Sequence, residues 1–507
     1  MTKLLLPFCC LILCIRPSAQ NTNQSQIQAL AKNKLPSAIE EFRDFLSLPN
    51  DGNYADQIDL NVDWGLKKMK SLGFATSIVV SKGTKHVYSE RKYHSQAPWM
   101  LFYIQMDGQP VDTAAWQQDS PYKAELKECD GDDCAIISWE QLKSTWNPDW
   151  KIFARSASDS KGPALAFLSA LEILNEQKIK PAFNIKVIMD FQEELGSPTL
   201  PALVEANQQL LKAEAMLIMD GTRHLSNLPT LTFGARGIAT MTLTVYGGST
   251  DLHSGQYGNY APNPAFKLAR LLAAMKDENG RVLIPGYYDG VELSEKEKNI
   301  LNNLPEDESE IVKTLGIAAP EKVGETYQEA LQYPSLNIRG LRAAWVGKEV
   351  RTLIPAEALA EIDMRLVPET PAVRQIELVR KFIADEGFHI LTAPPTDEER
   401  ALYPNLIMVT SKEGSKPFRT KLDSPLGEWL GNAMDRTFGE GNYVRTRATG
   451  GSQPIAPFIT TLDIPAISIR IPNPDNSIHA PNENIRIGNF LEGIEMCLGV
   501  LTEKFDK

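Results

Sequence analysis

Four short runs, at residues 100–104, 185–191, 215–219 and 466–471, are apolar almost without interruption, while the segments between them carry apolar residues at helical spacing. Runs of this kind are what strands buried on both faces of a sheet show. Amphipathic patterns at 39–48, 58–72 and 164–174 predict helices, and 76–81 predicts a further strand. Strand and helix signals alternate to about residue 220, which implies a sheet covered by helices on both faces.

From about residue 231 the pattern changes. Ala239, Met241, Leu243 and Val245 alternate with Thr240, Thr242, Thr244 and Tyr246, which predicts a half-buried strand over 238–246. A helix over 263–275, a strand over 358–366 and a helix over 372–383 follow, an order that fits a small open sheet with helices on one face. The charged stretch 294–313 predicts a surface helical insertion. Beyond residue 417 the first pattern resumes, with a helix over 425–438 and the run ending at Ile471. The expected fold is therefore α/β. A mixed sheet flanked by helices is drawn from 20–230 and 418–507, with a smaller α+β domain, 231–417, inserted between them.

A chain of 507 residues with 43% apolar content can fill two such cores. Its net charge of −12, with no segment of clustered Lys and Arg, argues against a nucleic-acid partner. Lys3, the apolar run 4–15 and Pro17-Ser18-Ala19 read as a signal peptide, residues 1–19, cleaved after Ala19. That run is short for a bilayer, and no other stretch approaches ~18 apolar residues, so no membrane span is expected in the mature chain. Export to the periplasm or the extracellular space follows. Lipid attachment at Cys14 is disfavoured by the bulky Leu13 before it. In an oxidising compartment Cys129 and Cys134, which flank the turn-like Asp130-Gly131-Asp132-Asp133, form either a small disulfide or two free thiols. Cys497 lies in an apolar helical pattern and reads as core.

Ligands of open α/β sheets bind at the carboxyl ends of the strands, so the polar residues that follow the buried runs are the candidates for chemistry. They are Gln105-Met106-Asp107, Gln192-Glu193-Glu194, Asp220 and, after a Pro/Asn-rich loop, His479. Asp159 joins them, just ahead of the helix at 164–174. Carboxylates gathered at one edge repel unless a cation neutralises them, and Asp, Glu and His in this mixture suit zinc or manganese. A metal-free carboxylate pair, as in a glycosidase, leaves His479 unexplained. The adjacent Glu193 and Glu194 invite a division of labour, in which one holds metal and the other takes a proton from a water that the cation has made more acidic.

These residues stand in stretches that carry a family resemblance. Ala157-Ser158-Asp159-Ser160-Lys161-Gly162-Pro163, Glu193-Glu194-Leu195-Gly196-Ser197, Asp251-Leu252-His253-Ser254-Gly255, Arg365-Leu366-Val367-Pro368, Gly450-Gly451-Ser452 and His479-Ala480-Pro481-Asn482-Glu483 resemble the co-catalytic metallopeptidases. That family includes carnosine dipeptidases, glutamate carboxypeptidase and acetylornithine deacetylase, and length with the Asp-Leu-His-Ser-Gly element favours its dipeptidase branch. The resemblance implies hydrolysis of the amide bond of a dipeptide or short peptide with one or two zinc ions per subunit. It makes Asp159 a carboxylate bridging two metals, Glu194 and His479 ligands of one, Asp220 a ligand of the other, and Glu193 the general base. It implies a homodimer through the inserted lid domain, with His253 polarising the scissile carbonyl in the partner's site. Arg365 is assigned to the terminal carboxylate of the substrate, and Thr352, Gly451 and Ser452 are similar to substrate-contacting positions.

One departure stands out. The family has His-x-Asp where this chain has Gln105-Met106-Asp107, so an imidazole ligand is replaced by an amide whose oxygen binds zinc weakly, and Asp107 loses the imidazole it would orient. Three outcomes follow: two metals with one weak site, one metal, or a peptide-binding protein without turnover. His224 is a candidate replacement ligand or a plain loop residue. The stretch 129–150, longer than the family's usual connection, is expected to reshape the pocket rim. Deacylation of N-acyl amino acids is the alternative reaction within the same chemistry.

Overall fold

The computed structural model describes residues 22–131 and 133–505; the signal peptide expected at 1–19 lies outside them. The described chain begins with α1 (Gln24–Leu46) and α2 (Ala55–Ser71), then β1 (Ala75–Ser81), β2 (Thr84–Arg91) and β3 (Trp99–Gln105). Helix α3 (Lys161–Glu176) precedes β4 (Asn184–Asp190), β5 (Ala215–Met219) and β6 (Thr230–Thr232). Next come β7 (Gly237–Tyr246), α4 (Pro264–Met275), β8 (Ser335–Ala343), β9 (Glu357–Leu366), α5 (Ala372–Asp385), β10 (His389–Leu391) and β11 (Leu406–Glu413). The last elements are α6 (Pro425–Phe438), β12 (Val444–Thr446), β13 (Ala466–Arg470) and α7 (Ile487–Thr502).

The largest sheet has eight strands in the order β1-β2-β4-β3-β5-β13-β6-β12. Its centre, β4-β3-β5-β13, is made of the four apolar runs, and all three pairings there are parallel. Both faces are covered, which is why these strands read as continuous apolar stretches. Met100, Phe102 and Ile104 of β3 pack into one core with Phe42, Phe167 and Phe490 from α1, α3 and α7. Leu101 and Tyr103 point the other way, to Leu200, Leu203 and Phe458. A second sheet, β8-β9-β7-β11-β10, has its own core, in which Met241 and Leu243 of β7 meet Leu268 and Leu271 of α4 and Val379 of α5. Among the described residues no helix is long and apolar enough to cross a membrane.

Three local features differ from the sequence reading. Helix α1 starts at Gln24 rather than near residue 39, because Ile27, Ala31 and Leu35 continue the buried stripe through Pro36, where proline would ordinarily end a helix. A small sheet joins Glu125–Asp130, Asp133–Ile136, Lys151–Phe153 and Asn484–Arg486, and within it Cys129 and Cys134 are bonded to each other. Within the stretch 129–150, Trp139, Leu142 and Trp146 lie beside α1, where Arg43 stacks on Trp139 at 4.3 Å, and among the described residues of that stretch none lines the cleft that holds Asp159, Glu194 and His479.

Helix α7 also buries Glu495, 7% exposed, where burial and the neighbouring Glu492 outweigh Arg223 and push its carboxyl up to about 7. A carboxyl raised in the folded state costs nothing below its unfolded value; its cost grows from there to about pH 7 and is constant above. Glu495→Gln is therefore expected to add up to about 3 kcal/mol of stability at pH 8 and almost nothing at pH 4.5. Urea denaturation at the two pH values checks this, and an equal gain at both would contradict it.

Candidate metal centre

Each central strand delivers a polar side chain to the same end of the sheet. Gln105 is the last residue of β3, Glu193 and Glu194 sit on the single turn after β4, Asp220 follows β5, and Arg470 closes β13. Asp159 precedes α3, and His479 comes from the loop beyond β13. All of them line one open cleft of about 410 Å³, together with Gln109, Gly451, Ser452 and Gln453.

Within it His479 Nε2 lies 2.9 Å from Asp159 Oδ2 and 3.3 Å from Glu194 Oε2. One ligand atom from each of the three residues lies within 4.8 Å of the others. An imidazole facing two carboxylates at this spacing is a donor set that zinc accepts. Electrostatics fit as well. Burial, then Asp159 and Asp107, pushes the Glu194 carboxyl up to about 10. Burial, then Asp220, Asp159 and Glu194, raises Glu193 well above the usual carboxylate range. Asp220 is raised by burial and by Asp159, while the hydrogen bond and charge of Asp159 raise His479. Carboxyl groups that hold one another in the neutral form ionise together once a divalent cation stands among them.

The supporting bonds fix this geometry. Ser160 Oγ donates to Asp220 Oδ1 at 2.8 Å and lies 3.0 Å from Asp159 Oδ1, and Gln453 Nε2 donates to Asp220 Oδ2 at 2.9 Å. Gln109 Nε2 donates to Glu194 Oε2 at 2.7 Å. Gln105 turns its amide nitrogen to Glu194 Oε1 at 3.1 Å, which leaves its own oxygen buried without a partner. Asp107 has a different partner from the imidazole expected for it: its two oxygens accept the backbone N–H groups of Glu193 and Glu194 at 3.0 and 3.1 Å. It thus anchors the turn that presents both glutamates.

The remaining candidates are placed differently. Arg365 reaches the cleft through Ser452, its Nη1 donating to Oγ at 3.0 Å. His253 ends one strand of a two-stranded ribbon and Thr352 directly precedes the other, both exposed and neither lining this cleft. His224 is paired with Glu306 at 2.7 Å and belongs to a neighbouring cavity, so it is no replacement ligand. Sequence reasoning missed Gln109 and Gln453 and gave Glu483, quoted within the His479 stretch, no role, because what these three do depends on contacts across the chain. It also missed Arg470, although a charged residue within the last apolar run was a readable signal.

Residues 101–503 match the profile described as Peptidase family M20/M25/M40. The Cys-Gly metallodipeptidase dug1 of Schizosaccharomyces pombe is 28% identical over 415 residues, covering 78% of this chain and 83% of the yeast protein. The Beta-Ala-His dipeptidase of Homo sapiens is 27% identical over 414 residues, covering 80% of this chain and 74% of its own. Among solved structures, the M20 family metallo-carboxypeptidase Sso-CP2 from Sulfolobus solfataricus superposes with a TM-score of 0.73 at 26% identity, over 92% of this chain and 98% of that one. Human carnosine dipeptidase 1 gives a TM-score of 0.70 at 22% identity, over 94% and 98%, a likeness of fold.

Proposed function

This chain belongs to peptidase family M20/M25/M40 and is a metallopeptidase, and from that footing we propose that it cleaves unblocked dipeptides with Glu193 as general base. The observation that carries the reading is the convergence of Asp159, Glu194 and His479 on one point, with Glu193 beside them in the same cleft. These three residues would hold the ion, for which zinc is the best match to two carboxylates and an imidazole. When bound, a divalent cation polarises the scissile carbonyl and makes a neighbouring water more acidic.

The chain's own groups do the rest. Glu193, whose proton affinity is raised by burial and then by its carboxylate neighbours, takes a proton from the attacking water and returns it to the leaving amine. Asp107 keeps Glu193 and Glu194 in place through their backbone amides. Arg365, held by Ser452 at the cleft edge, receives the terminal carboxylate of the substrate, and Gly451 leaves backbone accessible there. The unit of residues 231–417 acts as lid and as the contact of a homodimer; the exposure of His253 and Thr352 outside the cleft supports a role for them in a partner's site. Export to an oxidising compartment is supported by the Cys129–Cys134 bond.

Zinc-loaded protein is expected to hydrolyse a panel of unblocked dipeptides and to lose that activity on chelation and regain it with zinc. Faster turnover of N-acetyl amino acids than of the dipeptides would replace this reading with deacylation.

A further inference from the structure

Arg470 is a charged side chain that the mechanism above does not use, and it is 5% exposed. It ends β13 beside the acidic cluster, and its Nε and Nη2 are buried without any hydrogen-bond partner. The guanidinium lies over Gly221, directly after Asp220. A Cβ built on that glycine would fall 1.3 Å from Nη1, so the backbone there, at a φ of +94°, is bare to make room for it. The opposite charges it faces are Asp220 first, then Asp159 and Glu193.

A buried guanidinium does not shed its proton, so this corner of the site carries a permanent positive charge. Asp220, meanwhile, has both oxygens engaged, by Ser160 and Gln453, and among the described residues it is not part of the cluster formed by Asp159, Glu194 and His479. Gln105 turns its amide nitrogen to Glu194, and its oxygen, buried without a partner, is all it could offer a further ion, an amide donor that zinc binds weakly. Asp159 and Glu194 face the proposed ion position, and the positive charge that Asp220 faces is the guanidinium. A second divalent ion beside Asp220 would stand against Arg470 in a setting where like charges repel strongly.

We propose that the chain binds a single divalent cation, at Asp159, Glu194 and His479, and that the Arg470 guanidinium, seated on Gly221, supplies beside Asp220 the positive charge that a second cation would otherwise bring. This rests on the reading of those three residues as metal ligands. Arg470 is a positioning residue here: its charge faces Asp220, which Ser160 links to Asp159.

The test is calorimetric titration of chelator-stripped full-length protein with zinc ion, with elemental analysis after gel filtration. Wild type is expected to take one equivalent, and Asp220→Asn to keep it with affinity changed less than about tenfold. The double variant Arg470→Met/Gln105→His is expected to take a second equivalent. Two equivalents in wild type, loss of an equivalent in Asp220→Asn, or a folded double variant that still takes one would each overturn the inference. Should the double variant fail to fold, the first two measurements decide it. No binding by wild type at all would instead overturn the ligand assignment beneath it.

Discussion

Glu193→Gln is expected to bind its metal as wild type does and to lose kcat by about 10²–10⁴-fold, the range over which a positioned general base contributes. The substitution preserves shape and keeps the backbone N–H that Asp107 accepts at 3.0 Å, so the turn carrying Glu194 stays where it is. What it removes is the ability to take a proton. Glu193 is suited to that because burial and the carboxylates of Asp220, Asp159 and Glu194 raise its proton affinity. Since Glu193 is not among the three residues whose ligand atoms converge, zinc content should be unchanged. Steady-state kinetics with elemental analysis on the same sample separate the cases. A fall in kcat at constant KM marks loss of an interaction made only in the transition state. Undiminished kcat would remove Glu193 from the mechanism, and loss of zinc would make it a ligand instead.

The strand ends that build this centre were readable because the signal is local: a continuous apolar run followed at once by an acid, as at Met219-Asp220. Such runs declare both burial and direction, and parallel strands put their carboxyl ends together. Glu193 and Glu194 follow the run at 185–191 in the same way, whereas the separate roles of Asp159 and His479, which stand on loops, came only with the family resemblance, since an isolated acid on a loop is usually solvated surface. What stayed hidden was everything fixed by packing between distant segments. Gln453 finds Asp220 across 233 positions, and Asp107 finds backbone amides rather than a side chain. The strand Glu125–Asp130, alternating in charge as Glu125, Lys127 and Glu128, carries no apolar period to announce it. Its partners come from as far away as Asn484–Arg486.

Glu483 is the largest of these hidden terms, and its removal is expected to cost about 3–5 kcal/mol of stability. Its side chain is fully buried and accepts five bonds, each 2.8 Å long: from Arg155 Nη1, from the backbone N–H groups of Ser156, Ser158 and Asp159, and from Ser158 Oγ. Glu483→Ala would strand the guanidinium of Arg155, 3% exposed, and leave three amides unsatisfied in the loop that aims Asp159. The fold and the ion therefore share one clamp. Urea denaturation of metal-free protein isolates the first effect, because bound zinc would itself add stability to the native state. Zinc titration then reads the second, an affinity expected to fall by about 10–100-fold although Glu483 touches no ion. Glu483→Gln, which keeps an acceptor oxygen but not the charge opposite Arg155, should lose less on both counts. A Glu483→Ala protein within about 0.5 kcal/mol of wild type would show that solvent replaces the clamp without loss, and that Asp159 is aimed by α3 alone.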